Sequence, residues 1–415
     1  MLRCAVTVLV AGFALVGCGG HDKAGGTPAT GTETIEVAMR DSSPRLISPY
    51  ADAVARMDEA HIRIESRTNW RSGEPDSEAR TIADVRGGRL QFALVSARAL
   101  DTLGVQSFAP MLAPLAIDSL ETERRVLASH LADRALAGLA QIGVVGVAVL
   151  PGDLRHPLGL TRPLLRPDDF DGAFIGVRAS ALAKRTFEQL GATVAFSSGD
   201  DFTGFDGIES DLRSLVGVRA DEGAVSLAAD LALWPRVLVL VANRDAWERL
   251  SPARRDALRE AGPAALPEAM AALRADDADA YDVLCRRGRV SFGRTTSADV
   301  DVLRHALLPV TRDLDRAAVA EIARLRAAAP APPLHPLCRP PARAQPGLPT
   351  PSTASGALTA TRPTPAPRTS LTRISRRRTG ATTCWRFRAG GSRSRRRTVR
   401  RARGSTARTA SAAIA

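Results

Sequence analysis

The chain has 415 residues, a formal charge of +13 and 45% hydrophobic residues, enough length and apolar content for two domains with substantial cores. The charge is lopsided: 18 of the 57 basic residues lie past Pro330, where there is no Lys and no acid, so the rest of the chain carries about −5 against its 44 acidic residues. A mildly acidic body excludes a folded domain that binds nucleic acid by overall charge, and the basic character belongs to the end of the chain.

Met1-Leu2-Arg3 followed by an apolar run to Leu15 has the form of a secretory signal, too short to span a bilayer. Leu15-Val16-Gly17-Cys18 resembles the bacterial lipobox, which implies a signal peptide over 1–17 and acylation of Cys18. Residues 18–33, rich in Gly and Thr, then serve as a flexible tether. Thr34 to Ala38 reads as a strand, Ser48 to Met57 as a helix with Pro49 early in it, and Ile62 to Ser66 as a half-exposed strand. Asp76 to Arg86 is helical by pattern, and Phe92 to Val95 is a strand buried on both faces. Leu120 to Leu139 reads as one long helix and Val144 to Leu150 as another buried strand. Such alternation predicts α/β lobes.

Pro167 to Gly172 forms a turn, Phe174 to Arg178 a strand, and Ser180 to Leu190 a capped helix closed by Gly191. An acidic turn spans Phe205 to Glu209. Trp234-Pro235 precedes the apolar run Val237 to Ala242, a helix over Asn243 to Leu250, and a helix start at Ser251-Pro252. Asp276 to Leu284, Ser297 to Leu307 and Leu314 to Leu325 are the last helices expected before Ala329.

These pieces, in this order, resemble the solute receptors of TRAP transporters. The resemblance rests on Pro167 to Gly172, Leu190-Gly191-Ala192, Phe205 to Ser210 and Val239 to Pro252, with a weaker match at Val85 to Leu90 and Val95 to Ala97. It spans residues 34–328. It implies a two-lobe periplasmic-binding-protein-like α/β fold with an interlobe cleft and bracing helices. Lobe I would take residues 34–150 and 237–262, and lobe II residues 151–236 with the C-terminal helices. Val144 to Leu150 and Val237 to Ala242 would be crossovers between them.

A cleft that closes on a small carboxylate is served well by Arg, whose planar fork donates two parallel hydrogen bonds. In the resembled family one Arg on the strand after the Pro-Asp turn does this, and that position falls on Gly176 here. Arg178, two residues on, projects from the same strand face. Either it takes over the clamp or the ligand is not a simple carboxylate, and the alternative reading of Arg178 is a surface residue where the strand meets its helix. Arg155, in Arg155-His156, is the second expected cleft cation, with an exposed loop charge as the alternative reading. His156 reads as a structural hydrogen-bonding group and Arg162 as a loop-orienting one. Glu209 keeps the family's acidic residue, while Ser210 and Asp211 stand where the family has Asn and Pro. Phe196 to Asp206 is shorter than in the family, with Gly199, Asp200 and Asp201 replacing a helical turn. Trp234 is the expected aromatic at the cleft, or else a core residue. The expected ligand-binding set is therefore Arg155, Arg178, Glu209, Ser210 and Trp234.

The sequence shows no catalytic His, Cys or Ser constellation, no phosphate-binding Gly-rich loop, no metal-ligand cluster and no cofactor motif. Paired carboxylates at Asp200-Asp201 and Asp206…Glu209 leave a hydrolase as the enzymatic rival. A sensor or interaction lipoprotein of the same fold is the other rival. An oxidising compartment permits a Cys285–Cys338 disulfide. Residues 329–415 form a Pro/Ala then Arg-rich tail. A frameshifted end, a disordered native tail and a polyanion binder built on Arg376–Arg378 and Arg395–Arg397 are its three readings. The expectation is a lipid-anchored receptor on the extracytoplasmic face. It captures a small organic acid for a TRAP-type permease, without a cofactor and without nucleic acid.

Overall fold

The computed structural model describes residues 31–331 apart from 75, 198–201 and 223, together with residues 335 and 338. The signal segment, Cys18, the tether as far as residue 30, Asp200, Asp201 and the Arg-rich end lie outside them.

The strands in chain order are β1 (Glu33–Met39), β2 (Ile62–Arg67), β3 (Phe92–Ser96), β4 (Val144–Leu150), β5 (Leu154–Gly159) and β6 (Phe174–Val177). There follow β7 (Thr193–Phe196), β8 (Gly207–Ser210), β9 (Ser226–Leu227), β10 (Trp234–Pro235), β11 (Leu238–Asn243) and β12 (Ser291–Phe292). One sheet has the order β2-β1-β3-β11-β4, with β1, β2 and β3 parallel and β11 antiparallel to both its neighbours. The other runs β12-β9-β5-β8-β6-β7, with β10 paired to β5. These are the two expected lobes. β3 is buried at every residue, as a strand covered on both faces must be.

The chain passes between the sheets three times, from β4 into β5, from β10 into β11, and from β11 through a long helix to β12. The first two passages touch: Arg236 N donates to Asp153 O at 2.8 Å, and a Cβ on Gly152 would lie 1.9 Å from Arg236 O. Only glycine fits that crossing. Asp153 is tied to Arg45 at 2.6 Å, and Arg45 to Asp276 at 2.8 Å, so the crossing is braced against the long helix.

That helix, Pro252–Arg287, is 36 residues long and holds Pro263 and Pro267 in its interior. Ser251 caps it, accepting from Arg254 N at 3.3 Å. Its first half packs on the helix Ser48–Ala55, where Tyr50 Oη donates to Leu258 O at 2.8 Å, and its last half packs on Leu212–Val218. The expected separate helix at Asp276 to Leu284 is its C-terminal end. Packing against both lobes outweighs the local cost of the two prolines.

Three further expectations change. The single helix over Leu120 to Leu139 is two helices, Leu120–Leu127 and Leu131–Ala137, followed by a 3-10 turn. Ser129 makes the break, because its hydroxyl donates to Val126 O and accepts from Leu131 N. The acidic turn at Phe205 to Glu209 is half strand, since β8 begins at Gly207 between β5 and β6. The segment around Arg155 is strand β5, not a loop.

The body also continues past residue 328. Cys285 and Cys338 form a disulfide with Cα atoms 5.4 Å apart, and the His335 ring stacks on Tyr281 at 4.4 Å. The larger apolar core runs from the first sheet through to Phe170, Phe187 and Trp234 in the second lobe, and a smaller one lies under Leu158, Leu215 and Tyr281.

Candidate functional site

A cavity of about 480 Å³ lies between the lobes. The parallel strands of both sheets end at its rim, and the residues just past those ends form its wall. Arg40 and Asp41 follow β1, Asn69 follows β2 and Arg98 follows β3. From the other lobe come Arg178 after β6, Ser197 after β7 and Ser210 at the end of β8. Open α/β sheets take ligands outside the carboxyl ends of their strands, and here two such edges face each other. Arg155, Glu209, Ser214 and Arg236 complete the polar wall, with Val177, Phe202, Ile208 and Val218 as its apolar part.

Each cation has a distinct setting. Arg155 is held on three sides: Nε donates to Glu209 Oε2 at 2.5 Å, Nη1 to Asp211 Oδ2 at 2.6 Å and Nη2 to Glu209 O at 2.9 Å. Burial opposes its charge, but Glu209 and Asp211 more than compensate and hold the guanidinium above its ordinary value. Asp211 is buried as well, yet Arg155 keeps its carboxyl below the usual range, and its Oδ1 caps the helix Leu212–Val218 through Ser214 N at 2.7 Å. Arg155 thus fixes the turn after β8 from beneath.

Arg236 grips Asp41 with both Nη atoms at 2.8 Å. Arg98 pairs with Glu78 and also crosses to the other lobe, donating Nη1 to Ala179 O at 3.1 Å. Beside it Asp101, buried in lobe I, accepts from Ser180 Oγ at 2.7 Å and from Ala181 N and Leu182 N at 3.0 Å. A lobe I carboxylate therefore caps the lobe II helix Ala181–Gln189.

Arg178 is the cation that the surroundings disfavour most. Burial, then the charges of Arg40, Arg98 and Arg155, pull it down to about 10, with Glu209 acting in the opposite sense. Around the cavity five guanidiniums (Arg40, Arg98, Arg155, Arg178, Arg236) face four carboxylates (Asp41, Glu78, Glu209, Asp211). Among the described residues this set sums to one positive charge in excess.

The family model for bacterial extracellular solute-binding protein, family 7, matches residues 45–316. The chain belongs to that family. Solved structures agree on the fold. A TRAP periplasmic solute-binding protein from Ochrobactrum anthropi aligns at TM-score 0.61 and 19% identity, covering 72% of this chain and 96% of its own. One from Shewanella oneidensis with bound succinate aligns at 0.61 and 13%, covering 71% and 99%. One from Xanthobacter autotrophicus Py2 with bound β-D-galacturonate aligns at 0.60 and 21%, covering 71% and 100%. No curated protein matches. This family-7 chain is thus an extracellular solute-binding receptor, a binding protein and not an enzyme.

Of the five ligand-binding residues expected for the receptor, four line the cavity: Arg155, Arg178, Glu209 and Ser210. Trp234 does not. It is 4% exposed, with its ring edge-on to Phe187 at 5.9 Å, which is the core reading of that residue. Gly176 lines the cavity, and a Cβ there would meet the Phe205 ring at 3.0 Å. Phe205 in turn lies against Phe174 at 4.9 Å. The strand face that would carry the family's Arg is therefore covered by an aromatic lid over its first two positions, and Arg178 is the side chain beyond it.

Arg40, Arg98, Arg236 and Asn69 were not singled out from sequence. Their signal was position: each sits within two residues of the end of a parallel strand or at the crossing into β11.

Proposed function

We propose that this receptor captures a small hydroxylated monocarboxylate and delivers it to a TRAP-type permease, with Cys18 carrying a lipid that anchors the protein on the extracytoplasmic face. The observation that carries the reading is the Arg-lined cavity, whose charged groups among the described residues sum to one positive charge in excess. One carboxylate balances that charge. A second would meet Glu209 and Asp41 without a further cation. Ser42, Ser72, Ser197, Ser210, Ser214 and Asn69 line the same space and suit a ligand with several hydroxyls. Arg178 and Arg98 supply the charge, one from each lobe, so the solute holds the lobes together. Arg155 and Glu209 keep the Ser210 turn in place.

Calorimetric titration with gluconate, galacturonate, succinate and glucose tests this. The expected result is binding of a hydroxylated monoacid, weaker succinate and no glucose, with the affinity lost in Arg178→Ala. Glucose binding, or acid binding indifferent to Arg178→Ala, would refute it. Fatty-acid labelling of the expressed protein, abolished by Cys18→Ser, checks the anchor. Among the described residues no helix is long and apolar enough to cross a membrane.

A further inference from the structure

Strand β5 divides two spaces. Arg155 lines the interlobe cavity, while its neighbours Leu154 and His156 line a separate cavity of about 370 Å³ behind it. Leu120, Leu154, Ala232, Ala278 and Pro330 give this second space apolar walls, and Arg274, Asp277 and His335 stand among them. The roof is held down, since His335 stacks on Tyr281 and Cys338 is bonded to Cys285.

His156 is 2% exposed. Its Nδ1 lies 3.1 Å from Leu231 O, a contact that only an N–H can make to a carbonyl, so Nε2 is the bare nitrogen with a lone pair. That Nε2 is buried and has no partner among the described residues. Burial holds the ring down to about 4, so the lone pair persists near neutral pH. Four carboxylates border the space. Arginines engage three of them: Asp118 with Arg304 and Arg326, Glu121 with Arg124 and Arg125, and Asp230 with Arg294. Asp277 has only the long contact to His335 Nε2 at 3.5 Å among the described residues.

We propose that this cavity is a second binding site, for a small primary ammonium compound with a short apolar body. An ammonium group has three donors and no acceptor, which complements an orphaned ring nitrogen and an under-used carboxylate. With the other three acids already paired to arginines, Asp277 is the carboxylate left to meet a cation, and it disfavours an anion placed beside it. A neutral alcohol could satisfy His156 Nε2 but would leave Asp277 without a counter-charge. The site is independent of the cleft chemistry, because alternate side chains of one strand face opposite ways.

The test is calorimetry of the full chain with benzylammonium chloride at pH 8, with benzyl alcohol and benzoate as controls. Saturable one-to-one binding of benzylammonium is expected, about tenfold or more tighter than benzyl alcohol, with none for benzoate. Asp277→Asn should weaken it about tenfold or more, and His156→Phe similarly, while Arg178→Ala in the cleft leaves it unchanged. Thermal melts confirm that each variant is folded; Asp277, at the rim of the long helix, keeps the test valid if His156→Phe is not. No saturable benzylammonium binding, equal binding of the alcohol, or binding indifferent to Asp277→Asn would overturn the proposal.

Discussion

Arg155 and Arg178 are both cleft arginines on the second lobe, yet they answer to different forces. Arg155 is 7% exposed and spends its donors on Glu209 and Asp211, so its removal strands two buried carboxylates. Arg155→Ala should therefore cost about 3–5 kcal/mol of stability. Arg178 sits among Arg40, Arg98 and Arg155, with Glu209 acting in the opposite sense, so Arg178→Ala should lower the melting temperature less than Arg155→Ala while solute affinity falls. Parallel melts and titrations of the two variants separate these roles; an unfolded Arg178→Ala would contradict the assignment. Asp277 gives a test in pH. Burial and the charges of Asp153 and Asp211 push it from 3.8 up to about 7. The folded chain then keeps a proton that the unfolded chain releases, so this group's contribution is full below about pH 4 and is lost as pH rises through 7. Asp277→Asn has no proton to lose, and its melting temperature should rise relative to the parent between pH 5 and pH 8; a constant gap would count against the shift.

At the scale of elements, the sequence was most legible where side chains state their own local chemistry. Ser180 and Ser251 read as caps and are caps, each accepting from a backbone N–H three residues on. The apolar runs of β3, β4 and β11 read as buried strands because burial on both faces leaves no alternation to confuse them. Legibility failed where partners elsewhere decide. β5 contains Arg155, His156 and Pro157, a poor strand by composition, and becomes one because β8, β9 and β10 pair with it. Pro263 and Pro267 stand inside the helix Pro252–Arg287, where packing on two lobes overrides their local cost. The Asp101 cap on Ala181–Gln189 was invisible for the same reason, lying 80 residues from the helix it serves. Asp101→Ala should cost about 1–2 kcal/mol and loosen the lobe contact, measured as a lower melting temperature and faster amide exchange over 181–184. Protection that stays unchanged would mean Ser180 alone suffices.

For the whole molecule, the α/β alternation followed from the order of strand and helix signals and the two-lobe organisation from the family resemblance, whereas the site could be only half read. Residues near a recognisable turn, such as Arg178 and Ser210, stood out; those set by the meeting of two sheets, such as Arg40 and Arg98, did not. Trp234 shows the converse, a residue whose type invites a binding role but whose surroundings are core. The Cys285–Cys338 bond closes a loop of separation 53 around the second lobe. In the chain-entropy picture a loop of that size contributes about 4 kcal/mol. Cys285→Ser should lower the melting temperature accordingly, and a reductant should reproduce the drop in the parent protein; insensitivity to reductant would mean the bond carries no stability.

The strand ends that deliver Arg40 and Arg98 belong to one sheet and the end that delivers Arg178 to the other. Shutting the lobes on nothing would press like charges together, at roughly 2 kcal/mol for a pair about 8 Å apart in a medium of effective dielectric near 20. On the reading proposed above, an empty receptor of this design resists its own closure. On the proposed function, a neutral look-alike can enter and make the same hydrogen bonds yet fail to trap itself, because it leaves that resistance in place. Selection then happens at the act of shutting and not at first touch, and concentrated salt, by screening the same charges, would blunt it.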